Sequence, residues 1–266
     1  MNPSREKKKK LRCFLKQKEK VKAMDSRTRR GRLFLLGLTI AAAAVGIHTL
    51  LTGFLSKSST QEEYTIYTGA DDDATTIMID PGHGGYDSGS LSMEGIMEKD
   101  ITLQLGLLVG EKLTQAGYHV EYTRTSDDVD WESDNVADLQ ARVAKAVEAD
   151  AEYFVSIHTN SSDFGVDASG FETYVDLSNE QMTAMAQSVH EQLGALDYSQ
   201  DRGLKDGIEN QLYVICDNPV AAMLIEVGFI SNASDTWYMV NRQDELASAI
   251  AKGIIGSLER ENIVDS

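Results

Sequence analysis

Apolar and polar positions divide the chain into three stretches. Leu33 to Leu55 reads LFLLGLTIAAAAVGIHTLLTGFL, 23 positions without an acid, lysine or arginine. Ser56 to Ala74 is polar and carries the acidic run Asp71 to Asp73, the pattern of a linker. From Thr75 onward short apolar runs alternate with amphipathic stretches. Thr76 to Ile79 predicts a strand, stopped by Asp80 and Pro81. Glu98 to Gly117 predicts a helix, with Ile101, Leu105, Leu108 and Val109 on one face. A strand follows over Tyr118 to Arg124, an acidic loop over Thr125 to Asn135, and a helix over Val136 to Ala149, its apolar side formed by Val136, Leu139, Val143, Ala146 and Val147. Tyr153 to Ile157 is an apolar strand ending at His158. Gly170 to Val175 predicts a strand, Asn179 to Leu196 a helix, and Asp201 to Asn210 a polar loop. Leu212 to Cys216 and Ala222 to Val227 predict two further strands. A helix from about Asp235 to Leu258, interrupted near Asn241 to Asp244, completes the pattern.

Strands alternating with helices predict an α/β domain: a mixed, mostly parallel twisted sheet with helices on both faces. The link Asp217 to Ala221 is too short for a parallel crossover, so the strands it joins are expected to be antiparallel. The domain runs from 75 to 266, and about 190 residues suffice for one core. Two cysteines, Cys13 and Cys216, make no disulfide scaffold, so packing must supply the stability.

Charge changes the reading of the N-terminus. Met1 to Arg32 holds 14 Lys and Arg against three acids, a net of +11; because the chain as a whole is −17, residues 33–266 carry −28. A basic tail could bind nucleic acid, but the apolar run behind it points to a membrane. About 20 apolar residues span a bilayer core as a helix. The run is longer than the core of a cleaved signal peptide, and its alanines, Ala41 to Ala44, lie inside it rather than after it. The expectation is a basic cytoplasmic segment (1–32), one transmembrane signal anchor (33–55), a linker (56–74) and an extracytoplasmic domain, held at the cell membrane by a single pass.

Four residues carry candidate chemistry: His83, Glu98, His158 and Glu226. His83 follows the first strand in the glycine-rich run Gly82 to Gly85, and His158 ends a second strand. Glu98 opens the first helix, where a carboxylate suits the positive helix end. Ligand sites in α/β sheets lie beyond the carboxyl ends of strands. Two histidines and one carboxylate are the ligand set of an open zinc site. Taken singly, each is equally a turn histidine, a helix-start acid and a strand-end histidine. Glu226 lies within AAMLIEVGFI, among residues expected to be buried. It is either a core acid paired with Arg124 or Arg142, or a general base. Asp87, or alternatively Asp80, could accept the second N–H of His83. Asn160 could bind substrate or shape a turn, and Arg124 or Arg142 could meet a substrate carboxylate or form structural ion pairs. His190-Glu191 begins like a zincin helix motif, but Gly194 stands where a second histidine is needed; both are expected to face solvent.

The series DPGHGGYDSG, GIMEKDITL, FVSIHTN, SGFETYV and MLIEVGFISN resembles the zinc-dependent N-acetylmuramoyl-L-alanine amidases, the peptidoglycan family called amidase 3, over about Thr76 to Leu258. The resemblance implies that His83, Glu98 and His158 bind zinc (Zn2+) and that Glu226 is the catalytic glutamate. It implies hydrolysis of the amide between the lactyl group of N-acetylmuramic acid and L-alanine of the stem peptide. Three positions depart from the family pattern: Ser88 replaces a proline, Val147 an asparagine and Cys216 an arginine. The expectation is a membrane-anchored zinc amidase acting on peptidoglycan, with protein activators left open. The alternatives are a metallopeptidase cutting within the stem and a non-catalytic wall-binding regulator.

Overall fold

The computed structural model describes residues 74–264 apart from 132 and 164. The basic segment, the expected membrane span and the linker up to residue 73 lie outside them. Among the described residues no helix is long and apolar enough to cross a membrane.

The elements run β1 (Thr76–Pro81), α1 (Glu98–Gln115), β2 (His119–Tyr122), α2 (Asn135–Glu148), β3 (Tyr153–Asn160), β4 (Phe171–Val175), α3 (Glu180–Gly194), β5 (Asp201–Asp206), α4 (Tyr213–Cys216), β6 (Ala221–Phe229), α5 (Ala233–Asn241) and α6 (Gln243–Val264). One six-stranded sheet has the order β2-β1-β3-β6-β4-β5. The first four strands in that order are mutually parallel, β4 is antiparallel to β6, and β5 is parallel to β4.

Helices cover both faces, which is why the central strands read as unbroken apolar runs. Ile77, Ile79, Val155, Ile157, Met223 and Ile225 pack on one side with Leu105, Val109, Met185, Val189, Ile250 and Ile254 from α1, α3 and α6. The alternate residues Met78, Phe154, Ala222 and Leu224 pack on the other with Ala146 of α2 and Val214 and Ile215 of α4. Asp134 caps α2 by accepting the Val136 and Ala137 N–H groups, and Asn232 caps α5 in the same way. The C-terminal helix breaks at Arg242, inside the stretch expected to interrupt it.

Two elements differ from the sequence pattern. Leu212 to Cys216 is not a strand; it is the helical turn α4 with its N-cap at Leu212. A short apolar run fits a strand or a buried helical turn equally well. Here the sheet edge is taken by β5, and the run instead covers the second face of the sheet. That edge strand, Asp201–Asp206, lies in the stretch read as a polar loop. The antiparallel pair does exist, but it joins β6 to β4.

Candidate metal centre and active site

β1, β3 and β6 lie close together in parallel, so their carboxyl ends share one mouth. Asp80 closes β1 as a buried carboxylate. It accepts hydrogen bonds from Thr123 Oγ1 (2.7 Å), Ser156 Oγ (2.6 Å) and Arg142 Nη1 (2.8 Å). Burial raises its pKa, but the Arg142 charge and these donors outweigh that and hold it below the usual value. The chain then turns. A Cβ at Gly82 would lie 2.3 Å from His158 Cε1, so only glycine lets the second imidazole sit against the backbone. His83 has φ 62°, a left-handed conformation costly for a residue with a side chain. Two buried arginines hold it there. Arg142 Nη2 donates to the His83 carbonyl (2.7 Å) and Nη1 to that of Pro81 (3.0 Å). Arg124 donates to the carbonyls of Pro81 (3.0 Å), Gly82 (2.9 Å) and Lys99 (2.8 Å). Both guanidinium groups are therefore engaged with the loop from beneath, and Arg142 also pairs with Asp80 and Asp138.

On this support His83, Glu98 and His158 converge, with one donor atom from each lying within 4.8 Å of the others. His83 Nε2 is 3.1 Å from Glu98 Oε1, and His158 Nδ1 is 3.2 Å from the same oxygen and 3.2 Å from His83 Nε2. The far side of each group is tied down. His83 Nδ1 lies 2.7 Å from Asp87 Oδ2, whose other oxygen accepts the Gly89 N–H. Asp87, not Asp80, thus partners the second nitrogen of His83. Glu98 Oε2 accepts the Ser90 N–H (2.9 Å), and Oε1 accepts that of Thr159 (2.8 Å). Gly89, at φ 65°, passes so close that a Cβ would lie 2.7 Å from both Glu98 and His83.

Burial disfavours a charged His83, yet the hydrogen bonds and charges of Asp87 and Glu98 raise its pKa to about 10. Burial pushes Glu98 upward, and the two histidines pull it below the usual carboxylate range. The field that draws a proton to this point would equally draw a metal cation. Two imidazole nitrogens and one carboxylate oxygen fit zinc, and the backbone and Asp87 contacts are the orienting bonds that such ligands need.

Glu226 sits on β6 directly opposite His158 of β3 and Glu172 of β4. Between His158 and Asn160, β6 advances three residues, Glu226 to Phe229, for two on β3. This bulge immediately follows the glutamate. Neither Arg124 nor Arg142 reaches Glu226, and its Oε2 is buried with no hydrogen-bond partner among the described residues. By surface area the residue as a whole is half-buried, so the enclosed part is the carboxylate tip. That burial, with repulsion from Glu98 and Glu172, raises its pKa well above normal, against a smaller opposing effect of His83.

Several buried polar groups near the site carry no signal in the sequence. Glu172 is buried and accepts hydrogen bonds from Asn160 Nδ2 (2.8 Å), the Tyr174 hydroxyl (2.9 Å) and Arg202 Nε (2.9 Å). Asn160 therefore ties the end of β3 to the neighbouring acid. Glu172 lies in the run SGFETYV, where alternation alone places it on a strand; two of its three partners, Asn160 and Arg202, come from other strands. His190, expected in solvent, is 2% exposed. Its Nδ1 meets Asp201 Oδ1 (3.0 Å) and its Nε2 meets Thr173 Oγ1 (2.9 Å), a polar tie between α3, β4 and β5. Its partner Asp201 belongs to the strand that was read as loop, so no sequence signal marked the pair.

The profile of the family described as N-acetylmuramoyl-L-alanine amidase, Amidase_3, matches residues 77–256. The N-acetylmuramoyl-L-alanine amidase LytC of Bacillus subtilis is 34% identical over 184 residues, 68% of this chain and 35% of LytC. The N-acetylmuramoyl-L-alanine amidase AmiC2 of Nostoc punctiforme superposes with a TM-score of 0.63 at 32% identity, covering 72% of this chain and 99% of AmiC2. The CwlD amidase of Clostridioides difficile, solved in complex with the GerS lipoprotein, superposes at 0.63 with 28% identity, covering 70% of this chain and 98% of CwlD.

Proposed function

This chain belongs to the Amidase_3 family of N-acetylmuramoyl-L-alanine amidases, and from that premise we propose that His83, Glu98 and His158 hold a zinc ion while Glu226 serves as the base. The activity is hydrolysis of the amide that joins N-acetylmuramic acid to the L-alanine of the peptidoglycan stem. The observation that carries the proposed roles is the convergence of three donor atoms beside a carboxylate that has no partner among the described residues. Zinc, when bound, polarises a carbonyl and lowers the pKa of water to about 7.

The remaining work falls to the chain. Asp87 accepts the His83 Nδ1 proton, which fixes the tautomer and leaves Nε2 free to bind an ion. The Ser90 and Thr159 N–H groups orient the Glu98 carboxylate. Glu226 takes a proton from the attacking water and hands it to the departing alanine nitrogen. Burial and the charges of Glu98 and Glu172 raise its pKa, which favours holding the proton it takes until that proton is passed on. The basic segment before the apolar run 33–55 supports a single-pass anchor with this domain outside the cytoplasm. The CwlD–GerS complex supports protein partners as a class.

Mass spectrometry of peptidoglycan digested by the full chain tests the reading. The expected products are free muramic lactyl carboxyl groups and new L-alanine amino ends. A chelator should stop their release, and added zinc should restore it. New amino ends inside the stem, or digestion indifferent to the chelator, would overturn it.

A further inference from the structure

The proposed chemistry uses one end of a polar row and leaves the other end without a task. At one level of the sheet the row crosses four strands: His158 on β3, Glu226 on β6, Glu172 on β4 and Arg202 on β5. Two register shifts flank it. The first follows Glu226 on β6. The second lies on β5, where Asp201 to Leu204 span three residues against Phe171 to Thr173 on β4. Gly203 makes the second shift possible with φ 76°, and its N–H is held by Asp201 Oδ1 at 2.7 Å. The second shift lies where Arg202 reaches Glu172.

Arg202 is held as a guanidinium would be in a binding site. Its Nε is fixed by the buried Glu172 Oε2 at 2.9 Å, and its Cζ lies 4.9 Å from the centroid of the Phe229 ring. Nη1 reaches only the Ser169 carbonyl, at a long 3.4 Å, and Nη2 bonds no described group. The side chain is 34% exposed on the edge strand. One edge of the fork is therefore oriented and the other is open, the arrangement in which arginine takes a second carboxylate.

We infer that Arg202 receives a carboxylate of the peptide stem, that of the residue following the scissile alanine. The inference rests on the amidase function proposed above. The β6 and β5 backbones are two strand spacings apart, about 10 Å. The Arg202 head is drawn inward to Glu172, so the remaining gap is what one or two peptide residues cover at about 3.3–3.6 Å each. The enzyme would then distinguish an ionised stem from one amidated at that position.

The test compares two defined substrates, N-acetylmuramoyl-L-alanyl-D-glutamate and N-acetylmuramoyl-L-alanyl-D-isoglutamine, which differ only in amidation of the α-carboxylate. The full-length parent should favour the carboxylate in kcat/KM by about ten- to a hundredfold, the range of a hydrogen bond between charged groups. Arg202→Ala should bring the ratio of the two kcat/KM values to about one, the loss appearing as a raised KM for the carboxylate substrate. Arg202→Lys, which keeps the charge but loses the fork, should retain part of the preference and serves as the second variant should the alanine protein not fold. A parent that cleaves both substrates equally overturns the inference, as does a variant that loses both in proportion, which would make Arg202 merely a partner for Glu172. Cleavage of neither substrate by the parent defeats the amidase reading itself and takes this inference with it.

Discussion

Asp80 and Glu226 are both acids in apolar strands of one sheet, two strands apart, and the protein treats them in opposite ways. Asp80 is surrounded by donors: two hydroxyls and a buried guanidinium meet its oxygens. Glu226 has a buried oxygen that nothing described meets. One carboxyl is held below its ordinary pKa and the other well above it. Burial acts in the same direction on both, so the difference lies in the partners. A satisfied buried acid is part of the frame, whereas an unsatisfied one beside a ligand cluster is available to move a proton.

The sharpest way to break this comparison is to replace each acid by its amide. Glu226→Gln should lower kcat by about 10²–10⁴, the usual worth of a general base. Its zinc content by elemental analysis should match the parent, and its urea midpoint should not fall, since no partner is lost. Hydrolysis at the parent rate would place the proton acceptor elsewhere. Asp80→Asn should do the reverse. It removes the charge beside buried Arg142, which still keeps Asp138, and should cost about 3 kcal/mol of stability, read as a shifted urea midpoint with unchanged slope. The pH dependence sharpens the same contrast. A carboxylate whose folded pKa is depressed contributes stability that is present above its unfolded pKa, 3.8 here, and is lost as pH falls through the folded value. The parent should therefore weaken below pH 3.8 more steeply than Asp80→Asn; equal acid titrations would show that Asp80 is not depressed. Ser156→Ala is the smallest change. Removal of one hydroxyl donor to a buried carboxylate should cost about 1.5 kcal/mol, with activity at the parent level in folded protein.

The same two residues show what was legible in the sequence. Both acids stood out because they interrupt runs such as TIMIDP and AAMLIEV, and the runs themselves marked β1 and β6. The histidines were legible because each ends an apolar run. The partners were not. Arg142 lies 62 positions from Asp80, and nothing in the amphipathic pattern of α2 tells a buried arginine from a solvated one. β5, DRGLKD, has no alternation because it is a bulged edge strand, so Arg202 and the Asp201–His190 contact disappeared with it. Leu212 to Cys216 misled for the opposite reason: its apolar residues are buried, but against a sheet face rather than within a ladder. Periodicity reports which residues avoid water. It does not report which polar groups find one another across strands.

β1 has a mechanical consequence. Its first residue continues from the segment that precedes the domain, and its last leads directly to the loop that carries His83. A load applied between the start of β1 and the His83 loop would run along the axis of β1. Its neighbours β2 and β3 lie parallel on either side, with registers over Thr76 to Ile79 and Ile77 to Pro81. The ladder bonds lie across the line of force, so they share the load in shear instead of parting one at a time. The strand acts as a tie rod from one end of the domain to the other, and its resistance is set by the rate of unfolding rather than by equilibrium stability.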